Sequence, residues 1–285
     1  MKPILVEWGP FTIHSYGLAL ALAFLFGSLW VTRRARAYGY LEADLMYLFW
    51  WILTSALVGA RIYYALLHPG DFDDDFLEVF RIWRGGLAQY GGLIAAVAVG
   101  ALVIRARGWR FFELADLLAP ALAMGEAVTR IGCFLNGCCF GRPCSLPWAV
   151  TFPEGASAYW SVGATPIHPT QLYLCGANLL LFIFLARVGS RLIGTGRVFA
   201  LFLAGSSLAR FFVDFVRYYE KEDTLAVGGL HLVHSQWISL LLIAGAIAIW
   251  FLGVTPTKVA LKGTTTTSQG WLAASRQGDS QRMDR

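Results

Sequence analysis

Seven apolar runs dominate this chain of 285 residues, and each is close to the length of about 20 residues that a helix needs to cross a membrane. The runs cover about residues 13–32, 45–67, 87–105, 113–133, 170–187, 197–215 and 235–254. Only 14% of the residues are charged, against roughly 25% in soluble domains, which excludes an ordinary soluble globule. The sequence therefore predicts an all-α integral membrane protein with about seven transmembrane helices.

The fourth run differs from the others because glycines interrupt it and prolines follow it. The residues concerned are Gly125, Gly132, Gly137, Gly141, Pro143 and Pro147. Irregular backbone and polar side chains at membrane depth are tolerated where they face protein or a water-filled cavity. We expect a glycine-broken or re-entrant segment around 125–145, and we expect it to contribute to a functional site.

Clusters of basic residues follow alternate runs, and acidic residues occupy the opposite loops. The basic clusters are Arg33, Arg34 and Arg36; Arg105, Arg107 and Arg110; Arg187, Arg191 and Arg197; and Lys258, Lys262, Arg276, Arg282 and Arg285 in the tail. Cytoplasmic loops carry the excess of lysine and arginine, so the N-terminus is expected outside and the C-terminus in the cytoplasm. This topology accounts for the net charge of +5, and no nucleic-acid partner is expected.

The domain organisation is simple. Residues 1–255 are expected to form one multi-span membrane domain, since no internal repeat is evident. Residues 256–285 are rich in threonine, glutamine, serine and arginine, and they are expected to form a disordered cytoplasmic tail.

Several charged residues lie within the apolar runs or just beyond their ends, and at membrane depth each costs at least about 2.5 kcal/mol by insertion scales. They include Arg61, Glu126, Arg130, Arg210, Asp214 and Arg217, the last three on one helical face at i, i+4 and i+7. One interpretation is a network of arginine–carboxylate pairs that only joins helices. The other is that Arg130 and Arg210 converge on a phosphate, which the guanidinium fork fits well. Two carboxylates cannot neutralise four arginines, which favours an anionic headgroup as ligand.

Two further patterns each allow two interpretations. Glycine pairs at 85–86 and 91–92 bracket Tyr90 at the start of the third run. They indicate either backbone that unwinds and approaches a ligand closely or a contact between small residues of two helices. A polar cluster lies at the start of the fifth run, and it is either part of a site or part of an interfacial belt of aromatic and helix-capping residues. This cluster comprises His168, Pro169, Thr170, Gln171 and Tyr173.

Four of the five cysteines fall within twelve residues, at positions 133, 138, 139 and 144. Zinc and redox sites both favour paired spacings such as Cys-x-x-Cys, which this run does not contain. We therefore expect no metal and no cofactor, and we predict that these cysteines are small packing residues. One disulfide among them stays open as an alternative, because the outside of the membrane is oxidising.

The segment RIGCFLNGCCFGRP at 130–143 resembles the signature of the prolipoprotein diacylglyceryl transferase family. Other pieces match that family in order: HSYGLAL at 14–20, VGARIYY at 58–64, WRGGLAQYGGLIA at 83–95, ADLLAP at 115–120, HPTQLY at 168–173 and GRVFALFLAGSSLARFFVDFVR at 196–217. The resemblance covers about residues 8–250. The chain departs from the family pattern at Cys133, Cys138, Tyr90, Leu174 and Asp214, where the family usually has Asn, Glu, His, Glu and Glu.

The resemblance implies a multi-pass enzyme of the bacterial inner membrane with its active site toward the periplasmic side. The family transfers the diacylglyceryl group of phosphatidylglycerol to the lipobox cysteine thiol of a prolipoprotein signal peptide, which forms a thioether and releases glycerol phosphate. The implied catalytic residues are Tyr16, Tyr90, Arg130, Asn136 and Arg210. The implied substrate-binding residues are Arg130, Arg210, Arg61, His14, Gly91, Gly92, Gly137, Gly141, His168, Gln171, Tyr173 and Asp214.

The acceptor of the thiol proton stays open at this point. Tyr90 stands at the position of the family histidine, but a phenol is a poor base near neutral pH unless cations assist it. His14 and the phosphate of the substrate compete with it. Two other function classes also fit: a lipid-binding or lipid-transport membrane protein that has lost catalysis, and a membrane thiol oxidoreductase.

Overall fold

The computed structural model describes residues 4–8, 11–72, 76–81, 85–219, 224–227 and 230–252. This part of the chain forms seven long helices, one short helix, several 3-10 turns and two antiparallel β-hairpins. The helices are α1 (Ser15–Ala35), α2 (Glu42–Leu67), α3 (Gln89–Ala106), α4 (Phe111–Asn136), α5 (Ser157–Val162), α6 (Thr170–Val188), α7 (Arg197–Val213) and α8 (His234–Leu252). The hairpins pair β1 (Ile4–Trp8) with β2 (Phe11–His14) and β3 (Thr224–Val227) with β4 (Leu230–Val233). The predicted tail at 256–285 lies outside the described residues.

Five helices of the described part, α1, α2, α3, α6 and α8, are long and apolar enough to cross a membrane. The prediction of a mostly helical membrane protein is therefore confirmed. The predicted fourth and sixth runs form α4 and α7, which are not in that set, so the count of seven spans stays a prediction. The two hairpins were not expected from the all-α reading, because their strands are only four or five residues long.

Helix α4 lies at the centre of the bundle and packs against α1, α6 and α7, while α2 pairs with α3 and α8 with α7. Leu114 and Leu117 of α4 are buried against α1 and α2. Ala119 and Ala123 are buried against α6 and α7. A central helix meets protein on most sides, so it carries polar groups at a lower cost than a helix that faces lipid.

Asp116 fixes α4 to the start of α7 at one end of the bundle. Its buried carboxylate accepts hydrogen bonds from the backbone N–H groups of Gly194, Gly196 and Phe199 at 2.9, 2.8 and 2.9 Å. These N–H groups lie at and just before the first turn of α7, where a helix leaves its donors unpaired and favours a negative charge.

The prediction of a break at Gly125 and Gly132 is wrong, because α4 is continuous as far as Asn136. A Cβ atom at Gly132 would lie 2.6 Å from the Cβ atom of Ala19, so this glycine allows α1 and α4 to pack closely. The helix ends at Gly137, which adopts the left-handed conformation typical of a helix C-cap. The irregular segment therefore begins twelve residues later than Gly125.

After α4 the chain forms a compact layer over the ends of the helices. Phe140, Phe152 and Ile167 form a buried cluster together with two alanines next to α5. Isolated backbone bridges join Gly141 to Arg217, and thus join this layer to the residues that follow α7. The layer fixes where residues 137–141 lie relative to α4, α6 and α7.

Close packing of α2 on α3 explains two of the predicted substrate-binding glycines. A Cβ atom at Gly91 would lie 2.2 Å from the Cβ atom of Tyr63 and 2.4 Å from the carbonyl oxygen of Gly59. Gly92 is also buried, and both glycines are within the regular part of α3. Of the two interpretations that the sequence leaves open, the structure shows the contact between helices, and the backbone is not unwound at these two positions.

We predict that Gly91→Ala destabilises the protein by about 1–3 kcal/mol, because the added methyl group has no space against the α2 backbone. Gly176→Ala is the matched control, since this exposed glycine of α6 has no atom within 4 Å of an added Cβ. Thermal unfolding of both variants in detergent measures the difference. An equal midpoint for both variants would contradict the tight contact.

Candidate active site

A cavity of about 420 Å³ lies where α4 and α7 end and where α3, α6 and α8 begin. Its polar lining residues are Gln89, Tyr90, Glu126, Arg130, Asn178, Ser206, Ser207, Arg210, Arg217, Tyr219, His234, Ser235 and Ser239. Cys139 also lines the cavity, and Leu174, Val233, Ile238 and Leu242 line its apolar part. Three of the predicted catalytic residues, Tyr90, Arg130 and Arg210, therefore meet in one cavity.

Arg210 is held by a buried carboxylate. Its Nε atom lies 3.0 and 3.1 Å from the two carboxylate oxygens of Asp214, whose side chain is fully buried. Tyr219 and Ser235 donate hydrogen bonds to the same carboxylate at 2.9 and 2.6 Å. Burial raises the pKa of Tyr219, so its hydroxyl keeps its proton and remains a donor. Asp214 thus positions the guanidinium of Arg210 rather than lining the cavity itself.

The other two arginines of the cavity have no carboxylate partner. Among the described residues, neither Arg130 nor Arg217 forms an ion pair. The Nη1 atom of Arg130 lies 4.0 Å from the thiol sulfur of Cys133. Arg217 stacks over the ring of Tyr219, and its buried Nη1 has no hydrogen-bond partner in the described part of the chain.

The cavity therefore carries an excess of positive charge. Three arginines face it, whereas the only carboxylate among its lining residues is Glu126, which accepts a hydrogen bond from Ser206 at 2.7 Å. Guanidinium groups in a poorly hydrated site need an anion, and the planar fork of N–H groups can bind two oxygens of a phosphate at once. The arrangement is suited to hold a phosphate.

Arg61, a predicted substrate-binding residue, lies elsewhere. Its guanidinium donates hydrogen bonds to the carbonyl oxygens of Val79, Gly85 and Gly86 at 2.8, 2.8 and 2.9 Å, and to that of Glu78. Backbone carbonyls therefore satisfy this buried charge, and Arg61 fixes the loop before α3. Arg61 was predicted to need a carboxylate or a ligand, and this prediction was wrong.

Five other predicted substrate-binding residues do not line the cavity: Gly137, Gly141, His168, Gln171 and Tyr173. They hold the segment after α4. The buried Gln171 amide donates to the carbonyl oxygen of Cys138 at 2.8 Å, and the N–H of Gly141 donates to the carbonyl oxygen of His168 at 3.1 Å. Tyr173 accepts a hydrogen bond from the Trp148 indole at 2.7 Å.

The remaining predicted residues lie at the edge of this region. Tyr16, in the first turn of α1, is close to Arg130 and to Cys133. Asn136 is the last residue of α4 and lies within hydrogen-bonding reach of Cys138. His14 is exposed and immediately precedes α1.

Three of the cysteines that are predicted to be small packing residues meet in the structure. The Sγ atoms of Cys133, Cys138 and Cys139 all lie within 4.8 Å of one another, and each is a free thiol. The helix ends at Gly137, and Cys139 adopts a φ of 59°, so the chain folds back onto the last turn of α4. A helix end therefore creates this proximity, which the residue spacing does not reveal.

Several cavity residues were missed from sequence, among them Asn178, Ser206, Tyr219 and Ser235. Asn178 offered the clearest signal, because it is a lone amide in the middle of an apolar run. It is 2% exposed, and its Oδ1 atom has no hydrogen-bond partner in the described residues. A buried amide that lines a cavity without a partner is suited to bind a polar ligand group.

We predict that Asp214→Ala destabilises the protein by about 3 kcal/mol, because it leaves Arg210 without its buried partner. Asp44→Ala is the matched control: its pair with Arg107, at 2.8 Å, is partly exposed, so a loss of at most about 1 kcal/mol is expected. Unfolding in detergent compares the two variants. If Asp214→Ala were no more harmful than Asp44→Ala, Asp214 would not be a buried anchor.

The chain is similar to known proteins over nearly its whole described length. A family model described as prolipoprotein diacylglyceryl transferase matches residues 3–252. A phosphatidylglycerol–prolipoprotein diacylglyceryl transferase of Methylibium petroleiphilum is 35% identical over 259 residues, which cover 87% of this chain and 94% of the relative. The proteins of the same name from Bordetella avium and Idiomarina loihiensis are 35% and 36% identical over 255 and 244 residues. These alignments cover 88% and 84% of this chain, and 94% and 88% of the relatives.

Proposed function

The chain belongs to the prolipoprotein diacylglyceryl transferase family, and we propose that its arginine-lined cavity is where the reaction takes place. The protein transfers the diacylglyceryl group of phosphatidylglycerol to the lipobox cysteine thiol of a prolipoprotein. A carbon–sulfur bond forms, the carbon–oxygen bond to the phosphate breaks, and glycerol phosphate leaves. The observation that carries the assignment of the site is the presence of three arginines in one cavity that has a single carboxylate in its lining.

Arg130 and Arg210 bind the phosphate of phosphatidylglycerol. Negative charge develops on the phosphate oxygen as the carbon–oxygen bond breaks, and cations already in position stabilise this charge strongly in a site of low dielectric. The Asp214 carboxylate fixes Arg210, so little reorganisation is needed during the reaction. Arg217 adds a third positive charge at the same wall.

The residues that line the cavity also indicate where the headgroup and the acyl chains of the lipid bind. Asn178 binds a hydroxyl of the glycerol headgroup through its unpartnered amide oxygen. The acyl chains pass along Ile238 and Leu242, which line the cavity and are also 43% and 41% exposed on the surface of α8. This face of α8 connects the cavity with the hydrocarbon part of the bilayer, so a lipid reaches the site without leaving the membrane.

Tyr90 transfers the proton. A phenol hydroxyl both donates and accepts hydrogen bonds, so it passes the thiol proton to the departing phosphate oxygen without becoming a free base. Its position in the cavity lining, in the first turn of α3, supports this role. Tyr16 and Asn136 assist from the edge of the cavity, near Arg130 and at the end of α4.

All seven long helices cross the inner membrane in this proposal, with α4 and α7 shielded from lipid by their neighbours. The basic clusters that begin at Arg33, Arg105 and Arg187 lie at the opposite end of the helices from the cavity. The rule that positive loops are cytoplasmic therefore puts the cavity and the N-terminus on the periplasmic side, and the tail at 256–285 in the cytoplasm.

Replacing either clamp arginine tests the assignment. Arg130→Ala and Arg210→Ala are each expected to abolish transfer from phosphatidylglycerol to a lipobox peptide in a purified assay. Lysine restores little activity because it lacks the bidentate fork. The matched control is Arg33→Ala, an exposed arginine at the cytoplasmic end of α1, which leaves turnover unchanged.

Near-normal transfer by either alanine variant, at matched expression, would contradict the clamp. If the unmodified protein binds phosphatidylglycerol but does not transfer its diacylglyceryl group, it is a lipid-binding family member without catalysis. The assay therefore separates the two function classes that the sequence left open.

Removal of one hydroxyl tests Tyr90. Tyr90→Phe is expected to lower kcat by about 10²–10⁴-fold, the usual contribution of a positioned acid–base group, with little change in KM. Tyr47→Phe is the control, because this exposed tyrosine lies on Arg107 near the start of α2. In Tyr90→His the pH optimum is expected to fall, since the pKa of imidazole is about 6.5. Full activity of Tyr90→Phe with an unchanged pH profile would remove Tyr90 from the mechanism.

A further inference from the structure

Three thiols at the end of α4 have no role in the phosphate clamp. The Sγ atoms of Cys133, Cys138 and Cys139 lie within 4.8 Å of one another, and Cys139 lines the cavity. Three thiolates around a zinc ion, with bonds of about 2.3 Å, have their sulfur atoms about 3.8–4 Å apart. The observed cluster is therefore within a short side-chain movement of the geometry of a metal site.

Buried side chains hold the backbone of this cluster. The Thr170 hydroxyl donates to the carbonyl oxygen of Cys139 at 2.8 Å, and the Gln171 amide donates to that of Cys138 at 2.8 Å. Both side chains are fully buried at the start of α6. The loop that carries two of the thiols is thus fixed against α6, while the third thiol is on the last turn of α4. A preorganised set of ligands needs little ordering when a metal binds.

Two cations lie next to the thiols. The Nη1 atom of Arg130 is 4.0 Å from the Sγ atom of Cys133, and Arg217 lines the same cavity as Cys139. Both of these arginines lack a carboxylate partner in the described residues, so their charges are available to offset a negative cluster. Thiolates, not thiols, are the form that binds metals.

We propose that Cys133, Cys138 and Cys139 bind one thiophilic d10 cation, Zn²⁺ or Cu⁺, and leave a fourth coordination position open toward the cavity. Binding releases three protons and gives a complex of charge −1 with Zn²⁺ or −2 with Cu⁺, which Arg130 and Arg217 offset. Soft thiolate ligands select these cations, and three protein ligands with an open position are typical of catalytic rather than structural zinc sites.

This proposal rests on the proposed function and adds to it the activation of the acceptor. The lipobox thiol binds at the open position and loses its proton, because a coordinated thiol is deprotonated outright. Its sulfur then attacks the glyceryl carbon next to the phosphate. The sulfur–carbon bond forms, the carbon–oxygen bond breaks with its electron pair on oxygen, and the proton ends on the released phosphate. The thioether is a weak ligand and leaves the metal.

Metal binding is measured first, without reference to activity. The full chain in detergent, reduced and then titrated with Zn²⁺, is expected to retain one zinc per chain by elemental analysis and to protect three cysteines from alkylation. A parallel titration with Cu⁺ under anaerobic conditions identifies the preferred cation. Cys133→Ser, Cys138→Ser and Cys139→Ser each lose the bound ion, whereas Cys144→Ser and Cys175→Ser retain it. Substoichiometric binding of both cations, or retention by all three serine variants, would overturn the site.

The open position is tested with Co²⁺ as a spectroscopic substitute. Addition of a lipobox peptide is expected to change the sulfur-to-cobalt absorption, and the same peptide with serine in place of cysteine is expected to leave it unchanged. Removal of the native metal by a chelator lowers transfer at least tenfold, and Zn²⁺ or Cu⁺ restores it. Full transfer by the metal-free protein, or an unchanged cobalt spectrum, would overturn the role of the metal.

The two proposals fail in different ways. Arg210→Ala is expected to lose transfer and still bind one metal ion, because Arg210 is not near the thiols in any contact that the structure shows. If that variant transfers normally, the phosphate clamp is wrong and the metal data stand by themselves. If the metal is absent and Arg210→Ala still abolishes transfer, the clamp stands and only the metal site is wrong.

Discussion

The buried pair of Arg210 and Asp214 is the interaction on which the rest of the site depends. A guanidinium in an apolar bundle is costly. Here one fully buried carboxylate offsets most of that cost, and Tyr219 and Ser235 hold this carboxylate in place. The hydrogen bond from Ser235 links the pair, which lies at the end of α7, to α8, and Arg210 lines the cavity. Among the described residues Arg130 and Arg217 have no such partner, and in our proposals the lipid phosphate and the thiolate cluster supply the negative charge that they lack.

The sequence predicted the helices well because their apolar runs have the length of a membrane and are separated by charged loops. It also predicted that Arg130 and Arg210 lie together, since an arginine in an apolar run is costly unless it has a partner or a ligand, and both line one cavity. The sequence did not place Arg61 correctly, because carbonyl oxygens of a loop far along the chain accept its hydrogen bonds. Every residue has a backbone carbonyl, so such acceptors cannot be recognised from residue types. The glycines of α3 and α4 were ambiguous for a related reason: the same residue serves both close helix packing and a broken helix.

The cysteines show the limit of arguments from spacing. Motif rules assume that ligands one helical turn or one tight turn apart meet, and the run at 133–144 has neither arrangement. A left-handed C-cap at Gly137 followed by a positive φ at Cys139 brings the thiols together instead. Two of the three cysteines stand where the chain departs from the family pattern that it resembles. The departures therefore coincide with the thiol cluster, next to Arg130, which we propose to bind phosphate.

The most direct test of the account is a crystal structure of the protein with phosphatidylglycerol in a lipidic phase. The account predicts that the lipid phosphate lies within hydrogen-bonding distance of both Arg130 and Arg210, with the acyl chains leaving along Ile238 and Leu242. A phosphate bound outside this cavity, at Arg61 or among the basic loops at the other end of the helices, with the cavity free of lipid, would contradict it.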